Sequence, residues 1–140
     1  MRISLFGLGY VGAVSVACFA KDGHTVIGVD PNPDKLDLIR RGHSPIVEPE
    51  LEELLGDGVR AGRILVNESA YEAVLDSEAS FVCVGTPSEE NGAVNLSYIE
   101  KVCREIGFAI KDKSAYHVVV IRSTLKAGTT ESLVIPLLEA

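Results

Sequence analysis

The sequence predicts an α/β fold, a single-domain doubly wound parallel sheet, on two observations. Short apolar, β-branched runs alternate along the chain with segments of helical period, and most of these runs are apolar throughout rather than at every second residue. Strands of that kind are buried on both faces, as in a parallel sheet covered by helices. Right-handed crossovers then leave the doubly wound topology.

Each element follows from its residues. Arg2–Phe6 reads as the first strand and Tyr10–Lys21 as a helix rich in small residues. Thr25–Val29 is the second strand, with Asp30 just past its end. Asn32 caps the next helix, which has Pro33 at its first position, Leu36 and Ile39 on its inner face, and Gly42 as its stop. Residues 43–49 form a loop held out of helix by Pro45 and Pro49, and Glu50–Leu55 is a short helix. Ile64–Val66 is the third strand. Ser69 and Glu72 have capping-box spacing for a helix to about Leu75. Ser80–Val84 is the fourth strand, and Gly85–Asn95 a loop with Pro87 and an Asn91-Gly92 turn. Leu96–Lys111 has the clearest helical period, with Ile99, Val102, Cys103, Ile106 and Ile110 on one face. His117–Ile121 is the fifth strand. Gly128–Glu139 is a last helix that Pro136 should kink or shorten.

Composition bounds what such a domain does. The chain has 140 residues, 46% hydrophobic and 24% charged, which fits one folded domain over 1–140 with its own core. No apolar run approaches a membrane span, and the first residues read as a strand rather than a signal peptide, so a cytoplasmic location is expected and no membrane partner. The net charge of −7 argues against a nucleic-acid partner, which needs a basic surface. Cys18, Cys83 and Cys103 have no metal-ligand spacing and read as reduced thiols, with Cys18 and Cys103 on apolar helix faces and Cys83 in a buried strand. His24, His43 and His117 have no partner at ligand or triad spacing, and Glu48, Glu50, Glu52 and Glu53 read as a solvated acidic stretch. No metal is expected.

The joint between the first strand and first helix carries the chemistry. In Phe6-Gly7-Leu8-Gly9-Tyr10-Val11-Gly12, Gly7 permits a tight turn, Gly9 lets the backbone approach a pyrophosphate, and Gly12 lets the helix pack closely on the strand. The N–H groups of Tyr10 and Val11 lie where unpaired donors and the helix dipole favour an anion. Asp30 falls 18 positions after Gly12, at the tip of the second strand. A glycine turn between strand and helix, followed by that acid, is the Rossmann-type dinucleotide pattern. Asp30 should accept from the adenosine ribose hydroxyls and repel the extra phosphate of NADP, so the expected cofactor is NAD. Lys35 reads either as a contact to the ribose or adenine edge or as a solvated helix lysine. Gly85-Thr86-Pro87 and Arg122-Ser123-Thr124 follow the fourth and fifth strands, at the sheet edge where such folds bind ligands. Spacing alone favours reading Thr86 and Thr124 as loop and cap hydroxyls.

Five segments in order, FGLGYVG at 6–12, GVD at 28–30, SPIVEPELEELL at 44–55, FVCVGTPS at 81–88 and IRSTLKAGT at 121–129, resemble the nucleotide-sugar 6-dehydrogenases, which include UDP-glucose and GDP-mannose enzymes. The resemblance covers the whole chain. The stretch 102–124 and the VIPLLE ending are most similar to the GDP-mannose branch. It implies that two NAD molecules oxidise a sugar C6 alcohol to a carboxylate by way of a cysteine thioester, in polysaccharide biosynthesis. It also implies that Tyr10, Val11, Asp30, Lys35, Thr86 and Thr124 contact NAD, and that Thr124 acts catalytically, positioning water or stabilising charge near the reacting carbon. Lys126 stands where many relatives carry Pro.

The family nucleophile lies in a Gly-Gly-Ser-Cys-like context that none of the three cysteines here has. In relatives that cysteine, the nucleotide-sugar contacts and the dimerising helices lie beyond position 140. The chain is therefore expected to be the NAD-binding part of a longer homo-oligomer, truncated before the sixth strand and inactive alone. A UDP-glucose enzyme, a non-catalytic NAD-sensing module using the same Gly7-to-Asp30 apparatus, and a self-associating structural fragment are the alternatives.

Overall fold

Alternation along the first two strands sets the layers. A computed structural model describes all 140 residues, and in it Leu5 and Val26 face one side of the sheet while Phe6, Ile27 and Val29 face the other. The sheet contains β1 (Arg2–Phe6), β2 (Thr25–Val29), β3 (Ile64–Val66), β4 (Ala79–Val82) and β5 (Val118–Ile121) in the order β3-β2-β1-β4-β5. Every pairing is parallel. This is the expected doubly wound arrangement, and chain order reverses between β1 and β4.

The first core lies under α1 (Tyr10–Lys21), α2 (Pro33–Arg40) and α3 (Leu51–Arg60), with Val16, Ala17, Ile39 and Leu55 fully buried. The second lies under α4 (Ala70–Leu75), α5 (Ser97–Lys111) and α6 (Ile135–Glu139), around Val74, Ile99, Cys103 and Ile106. Asn32 caps α2 through its side chain to the N–H groups of Asp34 and Lys35, and Ser69 caps α4 through the Glu72 N–H, as their positions predicted.

Several boundaries differ from expectation for identifiable reasons. Helix α3 continues to Arg60 instead of stopping at Leu55. Its glycines are contacts, not breaks: a Cβ on Gly58 would run into the Ile64 side chain, and Gly56 passes against Gly42. Strand β4 covers Ala79–Val82 rather than Ser80–Val84, because the chain turns away beside the glycine loop after one further bond, Cys83 N–H to the Phe6 carbonyl. Strand β5 begins at Val118 and is partly exposed, since it lies at the sheet's edge with only β4 beside it. The last helix opens with a π-helical turn, Thr130–Val134, which precedes Pro136. Pro136 has no N–H to complete an α-helical bond there. Cys18, expected in the core, is exposed on α1, whereas Cys103 is fully buried.

A polar seam closes the end of the sheet remote from the glycine turn. Ser4 Oγ lies 2.7 Å from Ser80 Oγ and accepts from Ser77 Oγ at 3.0 Å. His117 Nε2 is 2.8 Å from Ser80 Oγ, while its Nδ1 is buried without a partner. Lys113 Nζ donates to the carbonyls of Val74 (2.7 Å), Leu75 and Ser77, satisfying the end of α4. Burial, and secondarily Lys113, hold the His117 pKa below its usual value, against the Ser77 carbonyl.

Two predictions follow from this packing. A Cβ at Gly12 would collide with the Gly7 carbonyl, whereas one at Gly9 meets nothing within 4 Å. Denaturant unfolding should show Gly12→Ala destabilised by about 3 kcal/mol and Gly9→Ala much less affected. His117 has a folded pKa below its unfolded value of about 6.5, so its contribution is complete above that pH and is lost as pH falls through it. His117→Gln should therefore lose less stability than wild type between about pH 7.5 and about pH 5.5; parallel losses would show that His117 does not report this burial.

Candidate functional site

The turn after β1 is built by three backbone constraints. Gly7 has φ +95°, a conformation L side chains rarely adopt, and a Cβ there would sit 3.0 Å from the Cys83 and Val84 backbone. Its N–H donates to the Val29 carbonyl at 2.9 Å. Gly12 lies against the Gly7 carbonyl, so helix and turn nest without space for a side chain. Gly9 caps α1 with ordinary φ and open space around it. Nothing in the protein needs a glycine there; a ligand approaching the backbone does. The N–H groups of Tyr10, Val11 and Gly12 have no acceptor within the chain. This cradle of free donors, at the positive end of a 12-residue helix, fits a dinucleotide pyrophosphate.

Asp30 stands beside the turn, 7% exposed. Its Oδ2 accepts the Leu8 N–H at 2.7 Å and its Oδ1 the Asn32 N–H at 2.9 Å. The carboxylate thus holds the glycine turn to the tip of β2, a role the sequence reading did not include. Two carboxylate oxygens offer about four acceptor positions, so capacity remains for ribose hydroxyls. Lys35 Nζ lies 3.7 Å from Asp30 Oδ2, which brings it to the site rather than leaving it solvated elsewhere.

From Asp30 a cavity of about 330 Å³ runs along the sheet edge. Phe6, Val29, Ala70, Val84 and Val102 form its apolar surface, and Glu68, Tyr98, Lys101 and Glu105 its polar rim. That shape and polarity suit a flat heteroaromatic base. The sequence reading missed these rim residues. Positions 98, 101 and 105 form a strip beside the buried Ile99 and half-buried Val102 on α5, so the helical period held a signal for them.

Across the sheet's switch point, the loops after β4 and β5 are tied together. Thr86 Oγ1 donates to the Thr124 carbonyl at 3.3 Å, and Ser123 Oγ donates to the Val84 carbonyl at 2.6 Å. The Thr124 side chain is exposed and makes no hydrogen bond within the chain. Ser123 thus fills the structural role, leaving the Thr124 hydroxyl free. Burial pushes the thiols of Cys83 and Cys103 up to about 11, with Arg122 only partly opposing the shift at Cys83. Neither is a thiolate near neutral pH.

A strap formed by residues 43–50 flanks the outer side of the turn. Tyr10 Oη donates to Glu48 Oε2 at 2.6 Å, a bond that raises the phenol pKa. Glu52 Oε1 lies 2.6 Å from His43 Nδ1, and its Oε2 accepts the Ser44 N–H. These bonds, His43 first, hold the Glu52 carboxyl below its usual range. Glu48 and, from the first turn of α3, Glu52 therefore fasten this folded loop rather than being merely solvated charge. Glu50 is the one non-glycine residue with positive φ, at +64°. A cleft of about 440 Å³ around Arg2, Asp76, Asp112 and Lys113 lies at the opposite end of the sheet. Its charges are largely paired internally, Arg2 with Asp76, Tyr71 with Asp112, and Lys113 with main-chain carbonyls.

Comparison with known proteins agrees with this geometry. Residues 1–140 match the UDP-glucose/GDP-mannose dehydrogenase family, NAD binding domain. GDP-mannose 6-dehydrogenase of Pseudomonas aeruginosa is 59% identical over 139 residues, 99% of this chain and 32% of that protein. A crystal structure of a ternary complex of GDP-mannose dehydrogenase from that organism superposes with TM-score 0.98, covering 99% of this chain and 32% of the other. A UDP-glucose dehydrogenase from Pyrobaculum islandicum superposes with TM-score 0.94 at 44% identity, covering 98% and 32%. The chain thus spans about a third of the length of these relatives. Donor-lined glycine turn, buried acid and matched sequence agree: the chain belongs to the UDP-glucose/GDP-mannose dehydrogenase family, as its Rossmann-like NAD-binding domain.

Proposed function

We propose that this chain is the cofactor-binding domain of a longer nucleotide-sugar 6-dehydrogenase, which oxidises the C6 alcohol of GDP-mannose to the carboxylate of GDP-mannuronate with two NAD. The observation that carries the reading is the line of groups along one sheet edge: Asp30, the free N–H groups of Tyr10 and Val11, then Thr86 and Thr124. Similarity is greater to the GDP-mannose relative than to the UDP-glucose structure, which supports GDP-mannose. UDP-glucose is the second reading, supported by the 0.94 superposition.

In this reading the tasks divide among these residues. The Tyr10 and Val11 N–H groups hold the pyrophosphate, and Gly7, Gly9 and Gly12 shape the backbone for it. Asp30 accepts from the adenosine ribose, with Lys35 beside it. Thr86 and Thr124 orient the nicotinamide end, and the free Thr124 hydroxyl positions water or stabilises charge near the reacting carbon. NAD, when bound, supplies the hydride acceptor. Cys83 and Cys103 are protonated and partly or fully buried, so the thiolate that a thioester route needs comes from outside this chain. Cys18 is about 12 Å along α1 from Tyr10, too far to serve. The chain alone therefore binds NAD without turning over substrate. No helix is long and apolar enough to cross a membrane. We place the longer enzyme in the cytoplasm, as a homo-oligomer in polysaccharide biosynthesis.

Calorimetric titration of the chain should show saturable NAD binding and little NADP binding; a folded sample that binds neither overturns the reading. Gly9→Val should abolish NAD binding. Asp30→Ala should weaken it roughly tenfold or more and also lower the thermal midpoint, because the Leu8 and Asn32 N–H groups lose their acceptor. Unchanged NAD affinity in that variant would remove Asp30 from the site. In the longer enzyme, Thr124→Ala should reduce kcat by about 10²-fold, with a smaller change in the NAD dissociation constant; an unaltered kcat would leave Thr124 a loop residue.

A further inference from the structure

We propose that Glu68 is a second cofactor-discriminating residue, a carboxylate set beside Asp30 that excludes a dinucleotide bearing a 2′-phosphate. The inference rests on the reading of Asp30 as the adenosine-ribose acceptor.

Strand register places the two acids together. Gly28 pairs with Val66 across β2 and β3, and the Asn67 N–H donates to the Gly28 carbonyl at 3.0 Å. Both chains leave the sheet at the same edge just past this pair, bringing residues 30 and 68 to the rim of one cavity. The Asn67 side chain accepts the Ser69 N–H at 2.8 Å, which fixes the short connection into α4 and keeps Glu68 at the strand tip. Asp30 and Glu68 line the 330 Å³ cavity together, and also an adjoining hollow of about 220 Å³ with Pro31, Pro33 and Leu36.

The two carboxylates differ in what surrounds their charge. Asp30 is buried, accepts two main-chain N–H groups and has the Lys35 ammonium 3.7 Å away. Its negative charge is largely compensated, and Lys35 by itself would attract a phosphate. Glu68 is exposed and makes no hydrogen bond or ion pair within the chain. Of the two carboxylates that line the hollow with Pro31, Pro33 and Leu36, the uncompensated one is therefore Glu68, whereas Lys101 and Glu105 face the larger cavity from α5. A phosphate monoester carries about −1.5 to −2 charges at neutral pH. Like charges about 4 Å apart in water lower affinity roughly fivefold per unit pair. Glu68 offsets the attraction of Lys35 for that group, while the neutral 2′-hydroxyl of NAD meets no such repulsion.

The test is titration of wild type, Glu68→Gln and Glu68→Lys with NAD and NADP at low and at high salt. The ratio of NADP to NAD affinity should rise roughly ten- to twenty-fivefold in Glu68→Gln at low salt and further in Glu68→Lys. Both gains should shrink at about 0.5 M salt, where screening shortens the reach of the charge. An unchanged ratio in both variants overturns the inference, as does an equal, salt-insensitive gain in both, which marks shape rather than charge. Wild type that binds NAD while the variants keep its ratio refutes only the role of Glu68. Folded wild type that binds neither dinucleotide refutes the cofactor site itself.

Discussion

The Asp30 carboxylate is the joint on which the cofactor edge depends. It accepts the Leu8 N–H from the glycine turn and the Asn32 N–H at the start of the next helix. Those bonds continue the link between the ends of β1 and β2 past the last main-chain bond, Gly7 N–H to the Val29 carbonyl. A buried charge survives there because main-chain donors and the nearby Lys35 compensate it. The acid proposed to read the ribose is also the acid that holds the glycine turn in place. Removing it acts on shape and recognition at once.

Gly7 and Gly12 meet the same demand by different means. At Gly7 the demand is conformational, a φ of +95° in a turn pressed on the Cys83 and Val84 backbone. At Gly12 it is space, with the first turn of α1 resting on the Gly7 carbonyl. Gly9 is under neither demand. Its small size matters to a ligand alone, which makes it the most direct sign in the backbone that something else belongs there.

The fold was legible in the sequence because its strands are short, apolar and separated by cap and turn residues with specific jobs. Asn32 and Ser69 cap the helices that their spacing indicates, and Ile99, Cys103 and Ile106 mark the buried face of α5. Glycine in α3 was misleading, because Gly56 and Gly58 serve tertiary contacts that periodicity does not encode. At the site, Gly7, Gly9, Gly12 and Asp30 could be found from a local pattern. Glu68, Glu48 and the pairing of Ser80 with His117 could not, since each arises when the sheet or a loop brings distant positions together. Thr86 and Thr124 fall between these cases: strand ends located them, but only the structure shows that Ser123 takes the structural bond and leaves the Thr124 hydroxyl free.

The unequal surroundings of the three cysteines have a practical consequence. With burial pushing their pKa values up to about 11, Cys83 and Cys103 stay protonated near neutral pH. Cys18 is exposed on the solvent side of α1, two turns from the phosphate turn. Within this domain the exposed thiol is thus that of Cys18, on a rigid helix. A fluorophore or spin label attached there would ride on the helix whose first N–H groups have no acceptor within the chain.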